Sequence, residues 1–195
     1  QAILNEERNR LDFRKSHGAK LVELIKSSPF LYDFSKCDVN EADKMGLTAL
    51  QKAAHYGQDE VVLALLSAPG INVNFRGNGD RLPYSFTNKT ALEIAALDGH
   101  TKVVKALLLS PDIDLNNSNQ YSGEKFYPGP LILAAQQNHV EIVSALIAAG
   151  ANVNAVNLNK NTALEIAVES GDIEVVKALL KSPLLVIAEK LLVAN

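Results

Sequence analysis

Apolar residues along the chain fall in paired runs of helical period, each pair separated by a short turn and followed by a polar loop. Thr48-Ala-Leu-Gln-Lys-Ala-Ala-His-Tyr-Gly57, Thr90-Ala-Leu-Glu-Ile-Ala-Ala-Leu-Asp-Gly99 and Thr162-Ala-Leu-Glu-Ile-Ala-Val-Glu-Ser-Gly171 align without gaps, and Gly129-Pro-Leu-Ile-Leu-Ala-Ala-Gln-Gln-Asn138 is a fourth copy, degenerate at both ends. Each is followed at one distance by a second apolar helix: Glu60-Val-Val-Leu-Ala-Leu-Leu66, Lys102-Val-Val-Lys-Ala-Leu-Leu108, Glu141-Ile-Val-Ser-Ala-Leu-Ile147 and Glu174-Val-Val-Lys-Ala-Leu-Leu180. The pattern predicts an all-α chain built from a repeated unit of helix, turn, helix and loop.

Equivalent positions are 42 residues apart from Gly57 to Gly99, 39 from Gly99 to Asn138 and 33 from Asn138 to Gly171. The helices carry no insertions, so the surplus of about 9 and about 6 residues over a 33-residue period lies in the loops after Asn74 and Asn116. A divergent first copy fits Leu11 to Ile25, and its charged outer positions (Glu6, Glu7, Arg8, Arg10, Lys15) suit a terminal cap. The expected organisation is one repeat domain over 1–195: a capping repeat at about 5–38, repeats at 39–74, 75–116, 117–154 and 155–183, and a C-terminal helix at 184–195. In that last segment Leu184, Ile187 and Leu191 share one helical face, which predicts docking on the last repeat.

Each recurrent residue has a physical reason. Thr48, Thr90 and Thr162 precede the apolar pattern, where a hydroxyl accepts a hydrogen bond from an orphan backbone N–H and starts the helix. The alanine pairs 53/54, 95/96 and 134/135 let antiparallel helices approach closely, while Leu50, Leu92, Leu131 and Leu164 fill the space between neighbouring units. Gly57, Gly99 and Gly171 permit the positive φ with which the chain leaves the first helix. No pair buries its apolar face alone, so stability is expected to be roughly a sum over neighbour interfaces.

Composition narrows the function classes. With 195 residues, 47% hydrophobic, the chain can bury a core. A net charge of −3, a pI near 5.8 and no block of Lys or Arg remove the footprint that phosphate-backbone binding needs, so no nucleic-acid partner is expected. No run approaches 18 apolar residues and the first 18 carry charges throughout, so neither a membrane span nor a secretory signal is expected. The single cysteine, Cys37, excludes a disulfide framework and fits a reducing, cytoplasmic setting.

The repeat resembles the ankyrin repeat over about Leu11 to Pro183, most closely at Val39-Asn-Glu-Ala-Asp-Lys-Met-Gly-Leu-Thr48 and at Gly99-His100. It departs from that family where Thr-Pro-Leu-His becomes Thr-Ala-Leu, where Asn157 and Lys160 replace an Asp and a Gly, and in the two long loops. The resemblance implies a solenoid of stacked helix pairs with projecting hairpin fingers, and a non-catalytic, monomeric module that binds a protein partner in the groove between fingers and first helices. Carried over by position, contact residues are Lys44, Met45 and Leu47 on one finger and Leu158, Asn159 and Asn161 on another. Groove positions are His55, Tyr56, Leu97, Asp98, Gln136, Gln137, Glu169 and Ser170. Asn74 and Asn154 resemble the hairpin asparagines that are hydroxylated in other ankyrin proteins, with Leu66 and Leu146 eight residues upstream; either side chain also suits a turn-capping role.

The two long fingers hold six of the eleven aromatic residues: Phe75, Tyr84 and Phe86, then Tyr121, Phe126 and Tyr127. Such side chains either anchor a partner, where aromatic hot spots contribute about 2 kcal/mol or more each, or fold back as a mini-core pinned by Pro83, Pro128 and Pro130. Candidate chemistry is thin. Cys37 with His17, His55, His100 and His139 lacks metal-ligand spacing, and His100 and His139 occupy the family's structural histidine position. Gly77-Asn-Gly-Asp80 lacks the Lys-Ser/Thr of a phosphate cradle. Glu60, Glu93, Glu165 and Glu174 recur at equivalent positions, which marks solvated faces or helix-start charges. No cofactor, metal or catalytic residue is expected. The other functional class is a substrate-recruiting part of a larger enzyme or of a secreted effector; an asparagine content of roughly 9% is compatible with an AT-rich bacterial genome.

Overall fold

The computed structural model describes residues 38–43, 46–77, 88–116 and 128–182. The expected capping repeat (apart from Asp38), the finger aromatics other than Phe75, Cys37, and the helix at 184–195 lie outside the described residues. The chain divides into two compact units, residues 1–113 and 114–195.

The first unit contains α1 (Ala49–His55), α2 (Asp59–Leu66), α3 (Ala91–Asp98) and α4 (Thr101–Leu107). Helix α1 packs on α2 and α3, α4 packs on α2 and α3, and the two pairs thereby stack first helix on first helix and second on second. The second unit repeats the arrangement with α5 (Pro130–Gln136), α6 (Val140–Ala148), α7 (Ala163–Ser170) and α8 (Ile173–Leu180). Among the described residues only an isolated antiparallel bridge, Val156 with Thr162, adds to the helices.

The helix starts follow the sequence closely. Thr48, Thr90 and Thr162 are extended N-caps whose hydroxyls accept from the backbone N–H of Gln51, Glu93 and Glu165. Each of these partners returns its side-chain oxygen to the threonine N–H, closing a capping box that satisfies two orphan donors at once. Gly129 caps α5 without a side chain, and Pro130 at the first helical position supplies the pre-set φ instead. The first helices of three repeats end on left-handed Gly57, Gly99 and Gly171 (φ 67°, 79° and 75°), and Asn138 takes the same conformation at φ 57°. The alanine pairs are fully buried, as close helix approach demands, and Leu50, Leu92 and Leu131 are buried with them; Leu164 is only half-buried.

The finger before α7 shows how a departure from the family pattern is absorbed. Asn157 accepts from the backbone N–H of Asn159 and Asn161 (2.9 and 3.0 Å), as Asp43 accepts from Leu47 N–H (3.1 Å) in the finger before α1. Lys160 then adopts φ 63° where the equivalent Gly46 has φ 77°. A side chain in this left-handed region is strained by about 1 kcal/mol. Lys160→Gly is therefore expected to raise the urea midpoint, with a gain of up to about 1 kcal/mol, because the relief of strain exceeds the added unfolded-state entropy.

Candidate partner-binding surface

The C-terminal ends of the first helices carry the groove positions. His55 closes α1, Tyr56 follows as its C-cap, and Asp98 closes α3. Stacking α1 on α3 brings His55 Nδ1 to 2.7 Å from Asp98 Oδ2, so two groove residues from successive repeats hold one another. The rings of His55 and Tyr56 stand 4.9 Å apart and tilted by 49°, and Tyr56 is 67% exposed. An aromatic ring is thus presented to solvent on a backbone that the His55–Asp98 contact fixes. Beneath it, His100 Nε2 donates to the His55 carbonyl (2.9 Å), and the His100 ring lies over Gly57. His100 therefore supports the end of α1 structurally, as its family position implies.

In the second unit Gln136 and Glu169 are exposed at the ends of α5 and α7, two helices that pack on each other. On the fingers, Lys44, Met45, Tyr84, Phe86, Tyr121, Phe126 and Tyr127 lie outside the described residues. Leu158 is exposed and Asn159 with it, while Asn161 is half-buried in the turn. Leu47 departs from the expectation of a contact residue: it is buried, because the turn closed by Asp43 N–H to the Leu47 carbonyl (3.0 Å) directs it inward. A 2.6 Å ion pair from Lys52 of α1 to Asp43 fixes the base of that finger.

The base of the first long finger contains a polar network that adds Gln51, Arg76 and Lys89 to Glu93 and Phe75, the members the sequence points to. Arg76 donates to the Asn88 carbonyl through Nη1 (2.6 Å) and pairs with Glu93 through Nη2. Gln51 Nε2 donates to the Lys89 carbonyl (2.7 Å) and, at 3.4 Å, to that of Phe75. Chain on both sides of residues 78–87 is thereby tied to the starts of α1 and α3. Glu93 is only 1% exposed, which rules out the solvated face and leaves the helix-start charge of the two readings its position allowed. It closes the capping box with Thr90, and Arg76, from the chain just before the long loop, pairs with it as counter-charge. Burial pushes the Glu93 carboxyl above its ordinary value, with Arg76 opposing, and burial lowers Lys89 against the pull of Glu93. The Thr-x-x-Glu spacing at Thr90 and Glu93 was a readable capping signal; the approach of Arg76 from 17 residues away was not.

Hairpin asparagines act between repeats. Asn40 donates to the Gly70 carbonyl (2.8 Å) and accepts from Asn72 N–H (2.7 Å), Asn74 donates to the Asp112 carbonyl (2.7 Å), and Asn116 accepts from Asn152 N–H (2.8 Å). The side chains of Asn40, Asn74 and Asn116 thus serve the following hairpin's backbone rather than their own, which binds neighbouring repeats at their tips. Asn154, half-buried, occupies the equivalent position in the last hairpin.

Paired antiparallel helices, left-handed exits from the first helix and asparagine-linked hairpins now stand together, and the family comparison agrees with them. The family model described as "Ankyrin repeats (3 copies)" matches residues 17–119 and again 92–187. The chain belongs to the ankyrin-repeat family. Ankyrin repeats are generally protein–protein interaction modules built on a non-catalytic, all-α repeat scaffold of the solenoid class. Among curated proteins the chain is similar to a probable serine/threonine-protein kinase of Dictyostelium discoideum, 38% identical over 52 residues. That match spans 27% of this chain and 6% of the kinase. No helix among the described residues of the ankyrin chain is long and apolar enough to cross a membrane, and no group of three or more His, Cys, Asp or Glu there could hold a metal ion.

Proposed function

We propose that this ankyrin domain is an adaptor that holds a protein partner by surface contact, through the groove residues and the two aromatic-rich fingers. The observation that carries the reading is the exposed Tyr56 ring, set beside the His55–Asp98 contact at the groove positions of two stacked repeats. A rigid aromatic with a polar neighbour is the kind of side chain that interface hot spots use, since little rotamer freedom is lost on binding. Gln136 and Glu169 extend the polar component, and Lys44, Met45, Tyr84, Phe86, Tyr121, Phe126 and Tyr127 would supply the finger contacts. The domain would act as a monomer in the cytoplasm without nucleic acid, membrane or cofactor.

Two variants divide the surface. Affinity capture from a cell lysate with the parent chain is compared with Tyr56→Ala/Asp98→Ala and with Tyr84→Ala/Phe86→Ala/Phe126→Ala/Tyr127→Ala, each checked for folding by circular dichroism. Loss of a partner in the first variant identifies the groove, loss in the second the fingers, with at least a thirtyfold fall in affinity expected for an anchor worth about 2 kcal/mol. A partner retained at parental affinity by both overturns the proposal.

The partial match to a kinase favours a second reading, in which the domain recruits substrates for an enzyme or effector of which it forms part. Hydroxylation of Asn74 and Asn154 is likewise proposed on family resemblance. The Asn74 side chain, already donating to Asp112, would have to leave that bond to reach a modifying enzyme. An added oxygen on the tryptic peptide in mass spectra would establish it.

A further inference from the structure

Two features of the groove in the first unit are unfavourable for the chain by itself. Tyr56 keeps a large aromatic ring in water, at 67% exposure. Asp98 closes α3 with a carboxylate, and the last turn of that helix has no basic residue. A negative charge there meets the negative end of the helix dipole, where a cation is favoured. Helix α7 ends in the same manner: Glu169 is exposed in its last turn, again without a basic residue beside it. Two of the eight groove positions are carboxylates and none is Lys or Arg.

His55 joins the aromatic ring to the carboxylate. Its ring stands 4.9 Å from that of Tyr56, and its Nδ1 meets Asp98 Oδ2 at 2.7 Å, so the two groups flank one imidazole. His55 occupies only one of the two carboxylate oxygens, and the Asp98 side chain keeps 20% of its surface in solvent. Lys89 is also drawn toward Asp98, but burial, Glu93 and Arg76 all weigh more on it, so its ammonium belongs to the base of the finger. A π face beside a carboxylate offers what a guanidinium uses, since its plane stacks on aromatic rings and its fork of N–H donors matches carboxylate oxygens. An apolar anchor laid over Tyr56 would instead desolvate Asp98 without a counter-charge. On the groove reading proposed above, on which this depends, we infer that the partner enters with an arginine side chain, whose guanidinium lies on the exposed face of Tyr56 and donates to the Asp98 carboxylate. Lysine fits less well, because a compact ammonium cannot stack.

A random-peptide array probed with the labelled full chain tests the assignment, followed by solution titration of the peptides it selects. These are expected to share an arginine. Replacing that arginine with citrulline, which keeps the shape and loses the charge, should weaken binding about tenfold. The penalty should fall below about threefold in two variants, since each removes one half of the same interaction. Asp98→Asn loses the charge while its amide oxygen can still accept from His55, and Tyr56→Leu replaces an exposed ring; circular dichroism checks that both fold. A merely structural role would weaken every peptide alike and leave the citrulline penalty intact, which overturns the anchor. Selected peptides that lack a shared arginine, yet are lost to Tyr56→Ala/Asp98→Ala, also overturn the anchor while the groove reading stands. Peptides that bind Tyr56→Ala/Asp98→Ala as well as the parent, or an array on which nothing binds, overturn the groove reading and the anchor with it.

Discussion

Arg76→Ala is expected to destabilise the first unit by about 3 kcal/mol at neutral pH, the cost of leaving one partner of a buried ion pair uncompensated. Arg76 is the counter-charge to Glu93, whose carboxylate is almost fully enclosed and also accepts from Thr90 N–H (2.9 Å). Removing the guanidinium also removes the 2.6 Å hydrogen bond from Arg76 Nη1 to the Asn88 carbonyl. The pH dependence identifies the mechanism. Burial already holds the Glu93 carboxyl above its ordinary 4.5, and loss of Arg76 removes the charge that opposes this rise. A group whose folded pKa is raised contributes fully below its unfolded value and loses that contribution as pH climbs through the folded one. The deficit of Arg76→Ala should therefore shrink between pH 7 and pH 5, as Glu93 takes up a proton. Adding Glu93→Gln should recover part of the loss at pH 7, because an amide needs no counter-charge and its oxygen can still serve the capping box. Urea titrations at the two pH values measure both effects, and a deficit independent of pH would show that Glu93 is not the origin.

Gly57→Ala should be more damaging than the equivalent Gly171→Ala, at about 2–3 kcal/mol. Two costs coincide there. The left-handed φ of 67° disfavours any side chain by about 1 kcal/mol or more. A Cβ would also stand 2.8 Å from Nδ1 of His100. That ring cannot swing aside without breaking its bond to the His55 carbonyl, so overpacking adds about 1 kcal/mol or more. Gly171 provides the comparison. It has φ 75°, and a methyl added there would meet nothing within 4 Å, so Gly171→Ala should cost only the backbone component of about 1 kcal/mol. Equal losses at the two sites in thermal unfolding would remove His100 as the cause. Because His55 also meets Asp98, Gly57→Ala is further expected to loosen the groove end of α1.

The fold was legible because each repeat restates the same local chemistry. A threonine N-cap, an alanine pair and a glycine exit recur at fixed offsets, and each acts within one or two turns of backbone, so reading them needs no knowledge of distant residues. The same locality explains what was left open or misread. Glu93 and Glu165 hold the same place in the repeat and make the same capping box, yet Glu93 is enclosed and Glu165 exposed. Leu47 matched a contact position by family register, but the backbone turn at Asp43 turns it into the core. Of the candidate surface, His55, Tyr56 and Asp98 were identified by register. Their mutual contact depends on how far one repeat is displaced from the next, which no repeat encodes alone.

The sequence by itself determined the helices, their caps, the left-handed exits and membership of the ankyrin family, because those features rest on short-range hydrogen bonding and on apolar periodicity. Tertiary structure decided the rest. It brought Arg76 to Glu93, set His100 over Gly57, joined His55 to Asp98 and linked the hairpin of Asn74 to that of Asp112. Each of these contacts lies between residues 17 to 43 positions apart or on separate repeats. Their energies depend on burial and on the angle at which one unit meets the next, and both quantities arise only when the repeats stack.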